Sequence, residues 1–253
     1  MIFGVKKMST AVSTISRTIA DWTLGAESTF DELLSEKKVL PTGIALLDEA
    51  LDGGLPVGKL IEIYPQRTGR CEVGLLLGVL RHFERVTWVL DCTEPLLPYQ
   101  EGLRAAGLDL SRQLMVAPAT AKDAFWCVEQ ALLSGECDAI VAWLPPLSSK
   151  EDARAMARLS LAASHGRVSL FIIRPFVMSG VNSPADMRIQ LFVEHDPRLV
   201  RARIHTDTYI WARPVEATFP LNFIREFSGV AQVAPAANSR AFPVSTLKHA
   251  VIS

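Results

Sequence analysis

The sequence has no cysteine pair at metal-binding spacing. Cys71, Cys92, Cys127 and Cys137 include no C-x-x-C, and no His-x3–5-His accompanies them. That spacing argues against a zinc site and against a disulfide framework, and fits reduced, mostly buried thiols. Long apolar runs are also missing. The opening MIFGVKKM is too short for a signal segment, and no later window reaches the length of a spanning helix without charges. The expectation is a cytoplasmic protein with no membrane contact, with Met8 as a second candidate start. Charge of one sign is absent too: the net charge is −1, so nothing demands an anionic partner, although local patches remain available. What is present is apolar mass. Of 253 residues 49% are hydrophobic, enough for one domain of about 200 residues with extensions.

The pattern along the chain divides into three. Residues 1–37 read as an N-terminal helical arm, with helical stretches near Thr10–Trp22 and Ser28–Glu36, the second opened by Ser28 and Asp31 in a capping arrangement. Residues 38–225 alternate apolar runs with amphipathic stretches, the signature of βαβ units. Strands are expected at Leu60–Tyr64, Val86–Asp91, Leu114–Ala117, Ala139–Leu144 and Ser169–Arg174. Continuous apolar runs of this kind suit parallel strands buried on both faces. Helices are expected at Glu72–Phe83, Pro98–Ala106, Ala121–Leu133 and Lys150–His165, and Arg188–Glu194 with Val200–His205 reads as an antiparallel hairpin. Residues 226–253, rich in Ala, Val, Pro and Ser, read as a flexible tail. There are no internal repeats. The expected fold class is α/β, a mostly parallel central sheet flanked by helices.

The informative stretch is residues 40–77, LPTGIALLDEALDGGLPVGKLIEIYPQRTGRCEVGLLL. Pro41-Thr42-Gly43, Leu47-Asp48, Gly53-Gly54-Leu55-Pro56, Gly58 and Ile61-Glu62-Ile63-Tyr64 resemble, in order, the opening of the RecA recombinase core. In that family the strand runs into a phosphate loop, G-x-x-x-x-G-K-[ST]. Its glycines let backbone N–H groups wrap the phosphates, its Lys supplies positive charge and its hydroxyl ligates Mg²⁺. This chain has Pro65-Gln66-Arg67-Thr68-Gly69-Arg70-Cys71 there. The first glycine is gone, Pro65 has no N–H, and the loop is about one residue shorter than the motif. Arg70 replaces the Lys, and Cys71, a poor ligand for a hard cation, replaces the hydroxyl. Each lost charge-assisted contact costs about 1.5–3 kcal/mol. What remains is a connection from strand to helix in which Gly69 and Arg70 are candidates for a residual anion site.

Two further stations agree. The resemblance continues through Val89-Leu90-Asp91, Pro98-Tyr99, Leu103 and Gly107. Where the recombinase has a water-activating glutamate this chain has Thr93, followed by Glu94. Where the Mg²⁺-associated strand should end in Asp it has Trp143. Asp91 and Asp138 survive at positions where a strand-edge carboxylate is ordinary. The expectation is a non-enzyme with no catalytic residue, no metal and no cofactor.

A RecA-like core with a lapsed site resembles ImuA, the recombinase-like accessory protein encoded with bacterial damage-induced mutagenesis genes. The similarity spans roughly residues 38–175 and includes residues 105–110, 121–126, 129–133, 143–145, 158–163 and 171–175. The resemblance implies partners: an ImuB-type inactive Y-family polymerase relative, an error-prone C-family polymerase, and RecA as a third candidate. The same core resembles SulA, the SOS inhibitor of the division protein FtsZ, but SulA proteins are shorter and usually lack the 40–64 opening. A strand-exchange protein fits least, because Val177–Pro184 is short where the recombinase carries a long DNA-binding loop.

Helical periodicity locates candidate partner surfaces. Ala121, Ala124, Phe125, Val128, Ala131 and Leu132 form a core face, leaving Trp126 and Leu133 among Lys122, Glu129 and Gln130. An exposed Trp is a frequent interface residue; the alternative is that a neighbouring helix or the arm covers it. On the next helix Asp152, Ala155, Met156, Leu159 and Ala163 share a face opposite Arg154, Arg158 and His165, with Arg167 just beyond. This ridge suits DNA phosphates or an acidic partner, or is a solvated face. Arg198, Arg201 and Arg203 add charge on the hairpin, and no basic run is interleaved with aromatics as a single-strand binding surface would be.

Overall fold

A computed structural model describes residues 39–69, 71–93, 97–196, 198–206 and 214–220. The N-terminal arm and the C-terminal tail expected above lie outside the described residues.

The chain opens with β1 (Val39–Leu40), α1 (Ala45–Ala50) and β2 (Leu55–Pro56), followed by β3 (Leu60–Pro65) and α2 (Glu72–Leu80). Next come β4 (Val86–Val89), α3 (Gln100–Ala105), β5 (Gln113–Val116), α4 (Ala121–Ser134), β6 (Ala139–Trp143), α5 (Ser149–Gly166) and β7 (Ser169–Ile173). The described chain closes on β8 (Met187–Val193), β9 (Leu199–Thr206) and β10 (Val215–Pro220). Short 3-10 turns sit at Leu110–Arg112 and Phe176–Gly180. The central sheet has eight strands in the order β10-β9-β8-β3-β7-β6-β4-β5. Pairings from β8 across to β5 are all parallel, and β8-β9-β10 is an antiparallel meander. This is the mostly parallel α/β sheet of a RecA-like core.

Each strand and helix named from the sequence between residues 60 and 205 is present, with ends that agree to within three residues. Not named were β10, α1 and the β1-β2 pair. β10 alternates exposed and buried residues, with Ala217 and Phe219 inward, because it is a half-exposed antiparallel edge strand and not a run of apolar residues. The short α2 ends at Leu80: the Arg81 amide still makes a helical bond to Leu77, and the amides of His82 and Phe83 turn back on Val79 and Leu80 as tightened terminal bonds.

The opening signature has a local structural cause. The Asp48 carboxylate accepts from the Thr42 amide and hydroxyl at 2.7 Å each and from the Gly43 amide at 3.0 Å, which ties the Pro41-Thr42-Gly43 turn to the first turn of α1. That turn lies hard against α2. A Cβ added at Gly78 would fall 1.8 Å from the Thr42 carbonyl oxygen, so only glycine admits this approach.

The sheet separates two cores. Ile61, Ile63, Trp88, Val141, Trp143 and Phe171 face α1, α2 and α3. Leu60, Ile140, Ala142, Leu170 and Ile172 face α4 and α5. The period-2 alternation along β3, β6 and β7 makes both faces largely apolar, so these strands read as apolar runs, broken in β3 by Glu62. Among the described residues no helix is long and apolar enough to cross a membrane.

Candidate functional site: the loop between β3 and α2

β3 delivers the chain to residues 66–71 at the C-terminal edge of the parallel strands, where α/β sheets place their ligands. Gln66 continues the ladder, its amide donating to the Leu191 carbonyl at 2.9 Å. Gly69 turns the chain with φ of 80°, a conformation a glycine adopts without strain. Its amide then donates to Glu72 Oε1 at 2.5 Å, and the Cys71 amide donates to Glu72 Oε2 at 3.1 Å. Glu72 is the first residue of α2 and is buried. A carboxylate belonging to the chain therefore takes both amides at the N-terminus of α2, a position where helices can hold an anion. Gly69, taken from the sequence as part of a residual anion site, spends its donor inside the molecule; Arg70 lies outside the described residues. Glu72 went unremarked in the sequence. The signal was there: an acid follows the loop where a recombinase-type site gathers phosphate, and a like charge at that point repels one.

The other positions singled out by the resemblance are held by local packing and hydrogen bonds. Trp143 ends β6 buried, stacked on Trp88 with ring centroids 6.3 Å apart and planes 23° from parallel. The indole at the end of β6 is packed into the core on the α2 side of the sheet. Asp91 holds its own turn, accepting from the Thr93 amide and hydroxyl at 2.7 Å each. Asp138 is buried at the opposite end of β6 and accepts from the Glu84 and Arg85 amides at 3.1 and 2.9 Å. No cluster of three or more His, Cys, Asp or Glu side chains that could hold a metal occurs among the described residues.

Beside the loop, on the α5 face of the sheet, lies a buried ionic network that the sequence did not announce. Arg174, just past β7, makes a two-pronged contact with Asp152 at 2.9 and 2.6 Å and lies 3.7 Å from Glu62. Glu62 accepts from the Tyr64 hydroxyl at 2.7 Å. Arg188 on β8 reaches the Tyr64 hydroxyl at 3.3 Å and the carbonyls of Ser179 and Val181 at 2.7 and 2.8 Å. Burial opposes the Arg174 charge, but its bonds to Asp152 and the field of Glu62 outweigh that and raise its pKa. Burial and the neighbouring Glu62 push the Tyr64 phenol up, so it stays protonated and donates. The network fastens the strand ahead of the phosphate loop to α5 and to the 176–181 segment. Its trace in the sequence is Glu62 and Arg174, charges inside otherwise apolar runs.

The four partner-surface residues come together along one seam. Lys122 pairs with Glu151 at 3.1 Å, and Arg158 pairs with Glu129 through two bonds of 3.0 and 3.3 Å. Both links join positions 29 apart, which sets α4 and α5 side by side in constant register. On α4 the stripe facing the seam is Lys122, Trp126, Glu129 and Leu133; on α5 it is Glu151, Arg154, Arg158 and Leu161. Trp126 is half-buried and packs on the core beneath α4, between the exposed and covered alternatives that the periodicity left open. Leu133 and Leu161 are 68% and 62% exposed. Arg154 is exposed and has no ion pair among the described residues, whereas Arg158 is committed to Glu129. The hairpin arginines are also engaged: Arg198 with Asp196, Arg201 with Glu194, and Arg203 with Glu216.

Comparison with known proteins bears on this geometry. The chain is 33% identical to the cell division inhibitor SulA of Edwardsiella piscicida over 102 residues, 40% of this chain and 58% of that protein. It is 31% identical to the RecA protein of Crocosphaera subtropica over 106 residues, 41% of this chain and 30% of that protein. To RecA of Salinispora tropica it is 35% identical over 109 residues, 42% of this chain and 31% of that protein. The chain is similar to both RecA and SulA. It spans under a third of the length of those RecA proteins and 58% of the SulA protein. No protein-family model matches it.

Proposed function

We propose that this chain is a cytoplasmic RecA-like accessory protein of damage-induced, error-prone DNA synthesis, acting through partners and without nucleotide turnover. The observation that carries the reading is the Glu72 carboxylate seated on the Gly69 and Cys71 amides. A buried carboxylate there opposes a triphosphate by charge and by occupancy. Trp143 in the core, in place of a metal-side acid, supports the same conclusion. The partners follow the resemblance to ImuA: an ImuB-type inactive polymerase relative, an error-prone C-family polymerase, and RecA. Purified protein is expected to show no ATPase activity above background, and turnover that disappears on changing Arg70 would overturn this. In cells, deleting the gene is expected to lower damage-induced mutation while division proceeds normally.

A second reading, a SulA-like inhibitor of division acting on FtsZ, is favoured by the SulA match, which covers more of its relative than the RecA matches do. Against it stands the 40–64 opening, folded here as part of the core through Asp48 and Gly78. Overproduction separates the two. Filamentous cells, with unchanged induced mutation on deletion, would establish the division inhibitor.

A further inference from the structure

The outer face of the α4-α5 pair is apolar in the middle and basic along α5. Leu133 and Leu161 are mostly exposed there. The ion pairs Lys122–Glu151 and Arg158–Glu129 hold the two helices at a constant offset of 29 residues, so both run the same way. Their C-terminal ends meet: a Cβ added at Gly166 would lie 3.4 Å from the Leu132 carbonyl oxygen. Leu161 is therefore one residue out of register with Leu133, and the two leucines stand side by side across neighbouring helices. Ala157, exposed one turn before Leu161, extends the apolar strip.

The charges on this face are not balanced. Its acids are engaged within the chain: Glu129 with Arg158, Glu151 with Lys122, and Asp123 with the Thr120 hydroxyl. Lys150, Arg154 and Arg167 are exposed and have no ion pair among the described residues. The uncommitted charge is thus all positive, and it brackets the leucines from the first turn of α5 to the residue that ends it. From Arg154 to Arg167 is 13 residues, about 20 Å along the helix. That sign selects the occupant. A second copy would bring the same cations against these and be repelled. A nucleic acid would gain nothing from the leucines and would meet Glu129 and Glu151. An apolar segment flanked by carboxylates satisfies both features at once, and the furrow between two aligned helices suits a third helix.

We infer that the outer face of α4 and α5 is a docking site for an acidic amphipathic helix of another protein, which sets apolar side chains on Leu133 and Leu161 and carboxylates on Arg154 and Arg167, with Lys150 adding to the field. The inference rests on the reading that the chain acts through partners, and it names what such a partner presents.

The test uses the full chain and a fluorescein-labelled synthetic helix of about 20 residues, long enough to span the cations, with leucines at i, i+3, i+4 and i+7 and glutamates around them. One twin replaces every glutamate by lysine, and fluorescence anisotropy reads binding. The acidic helix is expected to bind, and its affinity to fall at least tenfold with Arg154→Glu plus Arg167→Glu and, separately, with Leu133→Ser plus Leu161→Ser. The charge-reversed protein is expected to bind the lysine twin, a rescue that a misfolded variant could not give. Failure of the acidic helix to bind, equal binding of the two helices, or indifference to the leucine substitutions would overturn the proposal. A dimer in sedimentation equilibrium that the leucine substitutions dissolve would overturn it in favour of a second copy, and binding to phosphatidylglycerol vesicles without binding to the helix would overturn it in favour of a membrane surface. None of these results touches the nucleotide-free reading, which ATPase measurement tests.

Discussion

Glu72→Ala isolates the contact on which the loop depends. In the parent, the carboxylate takes the amide protons of Gly69, which is exposed, and Cys71, which is buried. Truncation lets water replace the acceptor at Gly69 and removes the carboxylate that accepts from the buried Cys71 amide. Hydrogen bonds to a charged group contribute about 1.5–3 kcal/mol each, and part of one is recovered from solvent, so a loss of about 2–3 kcal/mol is expected. For a core of this size that lowers the melting temperature by about 5–10 °C. Glu72→Gln keeps one acceptor oxygen and should lose about half as much. The sharper readout is rescue. With the cradle vacated, inorganic phosphate at tenfold over its dissociation constant should return about 1.4 kcal/mol to the alanine variant and leave the parent unmoved. Differential scanning fluorimetry across a phosphate series measures both. An alanine variant that melts with the parent, or equal phosphate shifts in the two proteins, would refute the self-filled loop.

Arg174→Met leaves Glu62 and Asp152 buried without their cation and is expected to cost about 3–5 kcal/mol in urea denaturation, with Arg174→Lys restoring only part because an ammonium cannot make the two-pronged contact. Gly78→Ala drives a methyl into the Thr42 carbonyl and should destabilise by about 1–3 kcal/mol, the range for overpacking. Thiol labelling of native protein at pH 8 is expected to modify Cys92 and spare Cys71, Cys127 and Cys137, which are buried; burial pushes the thiols of Cys127 and Cys137 up to about 11 and about 12. Cys92 is itself held above its ordinary value by partial burial and Asp91, so its rate should still be climbing at pH 9, and equal labelling of two or more sites would count against the packing described. Removing residues 226–253 is expected to leave the melting temperature unchanged, and unfolding of the truncated chain would make that segment structural.

The order of strands and helices from 60 to 205 was legible because it rests on local chemistry: apolar runs for strands covered on both faces, and periodic faces for α4 and α5. The departures from the phosphate-loop motif were legible for the same reason, since a missing glycine, a missing hydroxyl and Trp143 are properties of single positions. What those residues do instead was decided in three dimensions. Glu72 is unremarkable in the sequence and becomes the occupant of the loop only because Gly69 turns left-handed and aims two amides at the first turn of α2. Asp152 and Arg174 stand 22 residues apart, and meet because α5 starts over the end of β7. Periodicity put Trp126 on the outward side of α4, but α5 alongside leaves it only half in water. Period and composition report the face a residue turns away from its own helix. They carry no information about which neighbour stands there, because that depends on the order in which the strands join the sheet.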